Sequence, residues 1–342
     1  QHEKYYQLPE KTIQEIKSLE GPIAVFGAGG FIGINLLHSI LLYRSDVFGI
    51  SQDPANNWRF AAAGTPLSNR IICDINDFAQ LKEVIENLKP KTIFNLAAYG
   101  AYSKQKEYKK IYYTNFNSSI DILELLKNQK FSAYVHAGSS SEYGLNSVAP
   151  KETDELIPNS HYAVSKGVFS FVVKYYGEVE KLPVCHLRLY SVYGPWEEPD
   201  RLLPVLIAHA RKKKFPPLVQ PEISRDFIYI TDATTSFIAA AAGLKEKKLA
   251  GKSFNVGTGK RTSIRELAEL VKTICDINTN PGFGKMENRL WDLPDWYANI
   301  ESICKEIDWQ PLEELEHGIK KVIAWQNEIN FDTANWNWTK KV

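Results

Sequence analysis

The chain lacks any excess of charge: 41 lysines and arginines face 40 aspartates and glutamates over 342 residues. That balance removes any whole-chain electrostatic argument for binding nucleic acid or an anionic membrane. Cysteine is scarce. Cys73, Cys185, Cys275 and Cys304 stand far apart, with no Cys-x-x-Cys and no nearby pair of histidines. A structural zinc site and a disulfide scaffold are thereby excluded, no metal is expected, and the pattern fits a reducing cytoplasm. No apolar run approaches the ~20 residues of a membrane span, and Gln1 to Glu20 has no apolar export-signal core. The one basic run, Arg211-Lys212-Lys213-Lys214, reads as a solvated helix end.

What is present begins with Ile23-Ala24-Val25-Phe26-Gly27-Ala28-Gly29-Gly30-Phe31-Ile32-Gly33. Four apolar residues run into glycines at 27, 30 and 33, the pattern of a buried strand, a tight turn and a helix start. Gly27 permits the turn, Gly30 lets backbone approach a pyrophosphate, and Gly33 lets the helix pack on the sheet. The N–H groups around Phe31 and Ile32, at the positive end of the helix dipole, would face the anion. An amphipathic stretch, Ile34 to Tyr43, follows, which is the context such a turn needs.

Beyond it, short apolar runs alternate with helical patterns. Strands are expected at Asp46–Ser51, Arg70–Cys73, Thr92–Ala97, Ala133–Ala137 and Val184–Leu189, and helices at Asp77–Leu88, Ser103–Lys127 and Ser160–Val179. Alternation of this kind makes right-handed crossovers, giving an α/β, Rossmann-type doubly wound parallel sheet with helices on both faces. Ligands of such sheets bind beyond the carboxyl ends of the strands. Ser51 stands at the second strand end, with Arg59 beyond it. That pair leaves room for a 2′-phosphate, so NAD and NADP both stay open. Asp74, followed by Ile75, could accept from an adenine amino group, or serve as a helix cap. Leu96, Ala97 and Ala98 let backbone approach a cofactor closely.

The fifth strand runs into Gly138-Ser139-Ser140-Ser141-Glu142-Tyr143-Gly144. About twenty residues on, Tyr162 and Lys166 stand four apart and share a helix face. This set permits hydride transfer, since a carbinol that loses hydride must also lose its proton. A tyrosine with an ordinary pKa of about 10 is a poor base near neutrality, and a neighbouring ammonium favours its phenolate. A serine hydroxyl would hold the substrate oxygen beside Tyr162.

With Leu187-Arg188-Leu189-Tyr190-Ser191-Val192-Tyr193-Gly194-Pro195 added, the chain resembles the extended short-chain dehydrogenase/reductases over roughly Pro22 to Asn327. Within them it is similar to the NAD-dependent epimerase/dehydratase branch, which acts on nucleotide sugars with tightly bound NAD or NADP. The resemblance implies that Tyr162 is the catalytic acid/base, Lys166 its partner, and that Tyr190 and Val192 line the nicotinamide side. It further implies that Arg225 binds the nucleotide diphosphate, that Arg289 and Asp292 hold phosphate and ribose, and that Ser191 replaces an asparagine that touches the substrate. Relatives are often homodimers through a two-helix contact, expected here from Ser103–Lys127 and Ser160–Val179.

The serine loop is one residue shorter than the family pattern, so two registers compete. Counting back from Tyr143-Gly144 makes Ser139 the catalytic hydroxyl and puts Glu142 on a normally apolar position. Counting forward from the strand makes Ser140 the hydroxyl and gives Glu142 the role of a 4,6-dehydratase base, the count favoured from the sequence. The reading is a nucleotide-sugar enzyme oxidising C4, a 4,6-dehydratase or 4-epimerase. The alternatives are an NADPH-dependent 4-ketoreductase and a non-catalytic dinucleotide sensor. Residues 1–20 would be an extension, 21–190 the cofactor domain rejoined by 226–244, and 191–225 with 245–342 a smaller C-terminal α/β substrate lobe.

Overall fold

The computed structural model describes residues 3–289 and 291–331; the polar tail beyond 331 lies outside them. Its centre is a seven-stranded parallel sheet. In chain order its strands are β1 (Ile23–Phe26), β2 (Val47–Ser51), β3 (Arg70–Ile72), β4 (Thr92–Asn95), β5 (Ala133–Ser139), β6 (Val184–Leu189) and, after three short strands of the lobe, β10 (Ser253–Val256). In space they run β10-β6-β5-β4-β1-β2-β3. The chain therefore starts mid-sheet, winds one way to β3, and returns across β1 to wind the other way. β1 and β4 are neighbours at that reversal, the crevice where doubly wound sheets bind ligands.

The strands are apolar throughout because both faces are covered. Ile23 and Val25 enter one core while Ala24 and Phe26 enter the other. Helices Phe31–Leu41 and Ile230–Glu246 close the first face, and Phe78–Leu88, Ser118–Lys127 and His161–Glu178 the second. Each fully buried Phe among them, such as Phe26, Phe94 and Phe169, contributes about 1.5–3 kcal/mol. The N-terminal helix Glu10–Ser18 packs on Ile230–Glu246.

Two features depart from the sequence pattern. Ser253–Val256, assigned by sequence to the lobe, pairs with β6 as the outermost sheet strand. The stretch Ser103–Lys127 is not one helix: Tyr108–Tyr112 passes through a π turn, Tyr113–Asn117, into Ser118–Lys127. The Asn115 side chain holds the Tyr99 N–H and C=O at 2.8 Å each and donates to Ser165 Oγ at 3.0 Å. A local π turn aims a side chain that regular winding would place elsewhere.

The lobe is built on two small sheets. β7 (Ser191–Tyr193) pairs parallel with β9 (Phe227–Tyr229), and β8 (Ser224–Arg225) antiparallel with β11 (Thr262–Ser263). Leu203, Ile207, Tyr229, Leu267, Val271 and Ile319 form its core. Ser263 and Glu266 close a capping box on helix Ile264–Cys275, satisfying two N–H groups at the helix start. Buried Asp226 ties the lobe to the sheet, accepting from the backbone of Thr258 (2.9 Å), Gly259 (2.9 Å) and Ala298 (3.1 Å). Among the described residues no helix is long and apolar enough to cross a membrane.

Candidate active site

The glycine turn forms a cradle. Gly27 has φ +74°, and a Cβ there would stand 2.6 Å from the Ala97 nitrogen, so the turn and the end of β4 approach as only glycine allows. At Gly33 a Cβ would meet the Gly27 oxygen at 2.2 Å, whereas at Gly30 the nearest atom is 3.3 Å away. Gly30 thus borders open space. It is also the N-cap of helix Phe31–Leu41 and supplies no capping side chain, which leaves the first helical N–H groups for an anion. These residues fit a dinucleotide pyrophosphate.

At the adenosine end, Ser51 ends β2 and its Oγ lies beside Gly29. Asp74 is joined by Gln52 Nε2 at 3.2 Å and by the Asn76 N–H at 2.9 Å; the cap of the next helix is Asp77 instead. Ile75 is buried nearby in the second core. Arg59 does not stand ready for a 2′-phosphate. Its guanidinium is buried and donates to the Trp196 carbonyl (2.8 Å), the Gly29 carbonyl (3.2 Å) and Glu198 (2.9 Å). It fastens the glycine turn to the loop after β7.

Helix His161–Glu178, capped by Ser160, carries Tyr162 and Lys166 toward the end of β5. Lys166 is 2% exposed, and its Nζ donates to the Ala137 carbonyl at 2.9 Å and lies 5.9 Å from the centre of the Tyr162 ring. Burial lowers the lysine to about 8, opposed by the charge on Glu142. Burial raises the Tyr162 phenol to about 12, with Glu142 adding to the rise and the hydrogen bond with Ser139 and the charge of Arg201 opposing it. The serine whose side chain acts on the Tyr162 phenol is thus Ser139, and its Oγ lies 2.7 Å from Ser141 Oγ. Ser140 Oγ accepts from Trp296 Nε1 at 3.2 Å, so that serine faces the lobe.

Glu142 does not face a substrate cleft, contrary to the register that the sequence favoured. It is 0% exposed and accepts from the Ser139 N–H (2.8 Å), His186 Nε2 (2.9 Å) and Arg188 Nε (3.0 Å). Burial pushes its carboxyl up, yet these partners outweigh burial and hold it below its ordinary value. Burial keeps His186 below its own ordinary value, so a neutral imidazole donates from Nε2 while Arg188 supplies the positive charge. A carboxylate so enclosed has no route to a sugar proton.

In the lobe, Arg225 and Asp292 meet at 2.5 Å, and Asp292 also accepts from the Arg289 N–H at 2.7 Å. The Arg225 guanidinium lies 5.0 Å from the centre of the Trp296 ring, and that of Arg289 5.6 Å from the Trp291 ring. Burial lowers Arg225, with Asp292 opposing and Arg201 and Arg289 adding to the fall. Ser191 enters β7, its N–H donating to the Asp226 carbonyl at 3.0 Å. Val192 is half-buried in the same strand. Tyr190 is buried, and its hydroxyl has no partner among the described residues. Sequence reasoning missed Arg201, whose guanidinium lies 5.7 Å from the centre of the Tyr102 ring and whose charge acts on both Tyr162 and Arg225. Its signal, an arginine six residues past Tyr-Gly-Pro, is unspecific.

Comparison with known proteins gives the chain its family. Residues 23–257 match the NAD dependent epimerase/dehydratase family. UDP-glucuronate 4-epimerase 2 of Arabidopsis thaliana is 27% identical over 330 residues, covering 89% of this chain and 75% of its own length. The structure of UDP-glucuronic acid 4-epimerase from Bacillus cereus, bound to UDP-glucuronic acid and NAD, superposes with a TM-score of 0.78 at 24% identity, covering 90% of this chain and 99% of that one. The NAD complex of dTDP-glucose 4,6-dehydratase from Bacillus anthracis gives 0.76 at 23% identity, covering 93% and 99%.

Proposed function

The chain belongs to the NAD-dependent epimerase/dehydratase family, and from that premise we propose that it is a UDP-sugar 4-epimerase working with bound NAD. The carrying observation is the serine turn: its carboxylate, Glu142, is sealed behind the Ser139 peptide by His186 and Arg188, while the Ser139 side chain acts on the Tyr162 phenol. An epimerase needs an acid/base at one oxygen, whereas a 4,6-dehydratase also needs a group to move the C5 proton. Bound NAD, held by the glycine turn, would supply the acceptor and later the donor of the C4 hydride. Tyr162 takes the C4 hydroxyl proton and later returns it, Ser139 Oγ holds the same oxygen, and the Lys166 ammonium favours the phenolate. Returning hydride to the opposite face requires the keto sugar to turn while the diphosphate stays held. Arg225, supported by Trp296, would hold the diphosphate with Arg289, since guanidinium forks match phosphate oxygens.

The occupied donors of Arg59 favour NAD over NADP. A homodimer is supported by the exposed stripe Val168, Phe171, Tyr175 and Val179; a monomer by light scattering would count against it. Incubation with UDP-glucuronate, UDP-glucose and UDP-N-acetylglucosamine, without added reductant, tests the reaction. The expected product is a C4 isomer of unchanged mass, absent with Tyr162→Phe. A product lighter by one water would overturn the reading in favour of a dehydratase.

A further inference from the structure

Glu142 takes no step in that mechanism, yet it is the most enclosed charge beside the acid/base pair. Hydrogen bonds from Ser139, His186 and Arg188 converge on its carboxylate. Room for it exists because residue 138 is glycine: a Cβ there would stand 2.5 Å from the carboxylate and 2.3 Å from the His186 ring. On the other side a Cβ at Gly167, the residue after Lys166, would meet Glu142 Cβ and Cγ at 3.9 Å. The carboxylate is thus wedged between the end of β5, β6 and helix His161–Glu178. These three elements carry Ser139, Arg188 and Lys166.

We propose that Glu142 is a positioning residue whose carboxylate, wedged behind the layer that carries Lys166 and Tyr162, fixes the Ser139 peptide and sets the charge of that layer. The proposal rests on the reading of Tyr162 as acid/base. A buried ion pair by itself stabilises no more than apolar packing of the same volume, so stability does not account for placing one here. Two observations point to that role. The Ser139 N–H is held by the carboxylate at 2.8 Å, and the Ser139 side chain acts on the Tyr162 phenol. Lys166 is buried against a neutral carbonyl, Ala137, and the Glu142 charge works against the resulting loss of its proton. The same charge raises Tyr162, so its direct effect opposes the phenolate. The other titratable or charged groups facing this layer are His136 from β5, His186 and Arg188 from β6, Tyr102 from the loop after β4, Tyr143 from the serine turn, Glu152 after it, and Arg201 from the lobe.

The sign of the effect follows. Removing a negative charge makes both Lys166 and Tyr162 release protons more readily. The pH profile of kcat/KM requires deprotonated Tyr162 and protonated Lys166, so both its limbs move down in Glu142→Gln, by on the order of one pH unit. Glu142→Asp, which keeps the charge, leaves them near the wild-type positions. Should the single neutral variant fail to fold, Glu142→Gln/Arg188→Met removes both buried charges together. Arg188 is not among the charges that act on Lys166, so the limb that reports Lys166 shifts the same way. A lowered kcat or Tm with unmoved limbs would reduce Glu142 to packing and overturn the proposal.

A second readout needs no substrate. The ultraviolet phenolate absorbance of each variant, minus that of its Tyr162→Phe counterpart, titrates Tyr162 directly. It should move to lower pH in the variants lacking the carboxylate, and an unmoved titration refutes the proposal. Full activity of Tyr162→Phe alone would sink the acid/base reading, and the absorbance titration would still judge Glu142.

Discussion

Glu142 and Glu197 are both buried carboxyl groups, 0% and 8% exposed, and their affinities for a proton move in opposite directions. Glu142 lies against a guanidinium, an imidazole and a peptide N–H, which together hold it below its ordinary value despite burial. Burial raises Glu197 to about 8, opposed by Arg201, the Gly194 backbone and Arg59. Arg59 gives it little because Glu198 has that guanidinium at 2.9 Å. Partner geometry, not depth, decides which carboxylate keeps its charge.

Breaking the better-served carboxylate should cost most. Glu142→Ala leaves Arg188 buried and unpaired, a loss of about 3–5 kcal/mol, read as a fall in the chemical-denaturation midpoint; a loss below ~1 kcal/mol would mean that water reaches Arg188. Removing the poorly served one should have the opposite sign. An acid whose folded pKa is raised loses stability as pH climbs from its unfolded value toward the folded one. Glu197→Gln should therefore be more stable than wild type at pH 8, by at least about 1 kcal/mol, with the gain fading toward pH 4.5.

The pH dependence of Glu142 sharpens the contrast. Its folded value is lowered, so its stabilisation is complete above the ordinary carboxylate range and is lost as pH falls through the folded value. Glu142→Asp should retain that acid limb. The smallest effect belongs to Arg59→Met. Losing the carbonyl and Glu198 contacts destabilises the cofactor turn and nudges Glu197 further up, while the ratio of NAD to NADP affinity changes by less than about threefold. A large fall in NADP affinity alone would show that Arg59 does reach a 2′-phosphate.

The winding of the sheet and the sharing of one helix by Tyr162 and Lys166 were legible, because local pattern carries them. Glycine spacing, strand apolarity and an i, i+4 pair are readable over a few residues. The state of Glu142 was not, since it depends on His186 and Arg188 on another strand, 44 and 46 residues away. A carboxylate in a serine turn reads as exposed until its partners are known. Arg59 misled for the same reason: Trp196 and Glu198, which occupy it, lie 137 and 139 residues away. β10 escaped because four residues, with a polar Asn255 among them, are too short for periodicity to separate from loop.

That last strand has a consequence for how the molecule is made. β6 carries His186 and Arg188, and its outer edge is covered only by β10, which follows the end of β6 by more than sixty residues. At ~5–20 residues per second, a growing chain exposes that edge for several seconds after the rest of the sheet has been synthesised. An unpaired apolar edge invites pairing with another chain. Synthesis that stalls between Leu189 and Ser253 should therefore yield aggregates of nascent chains rather than a smaller folded domain.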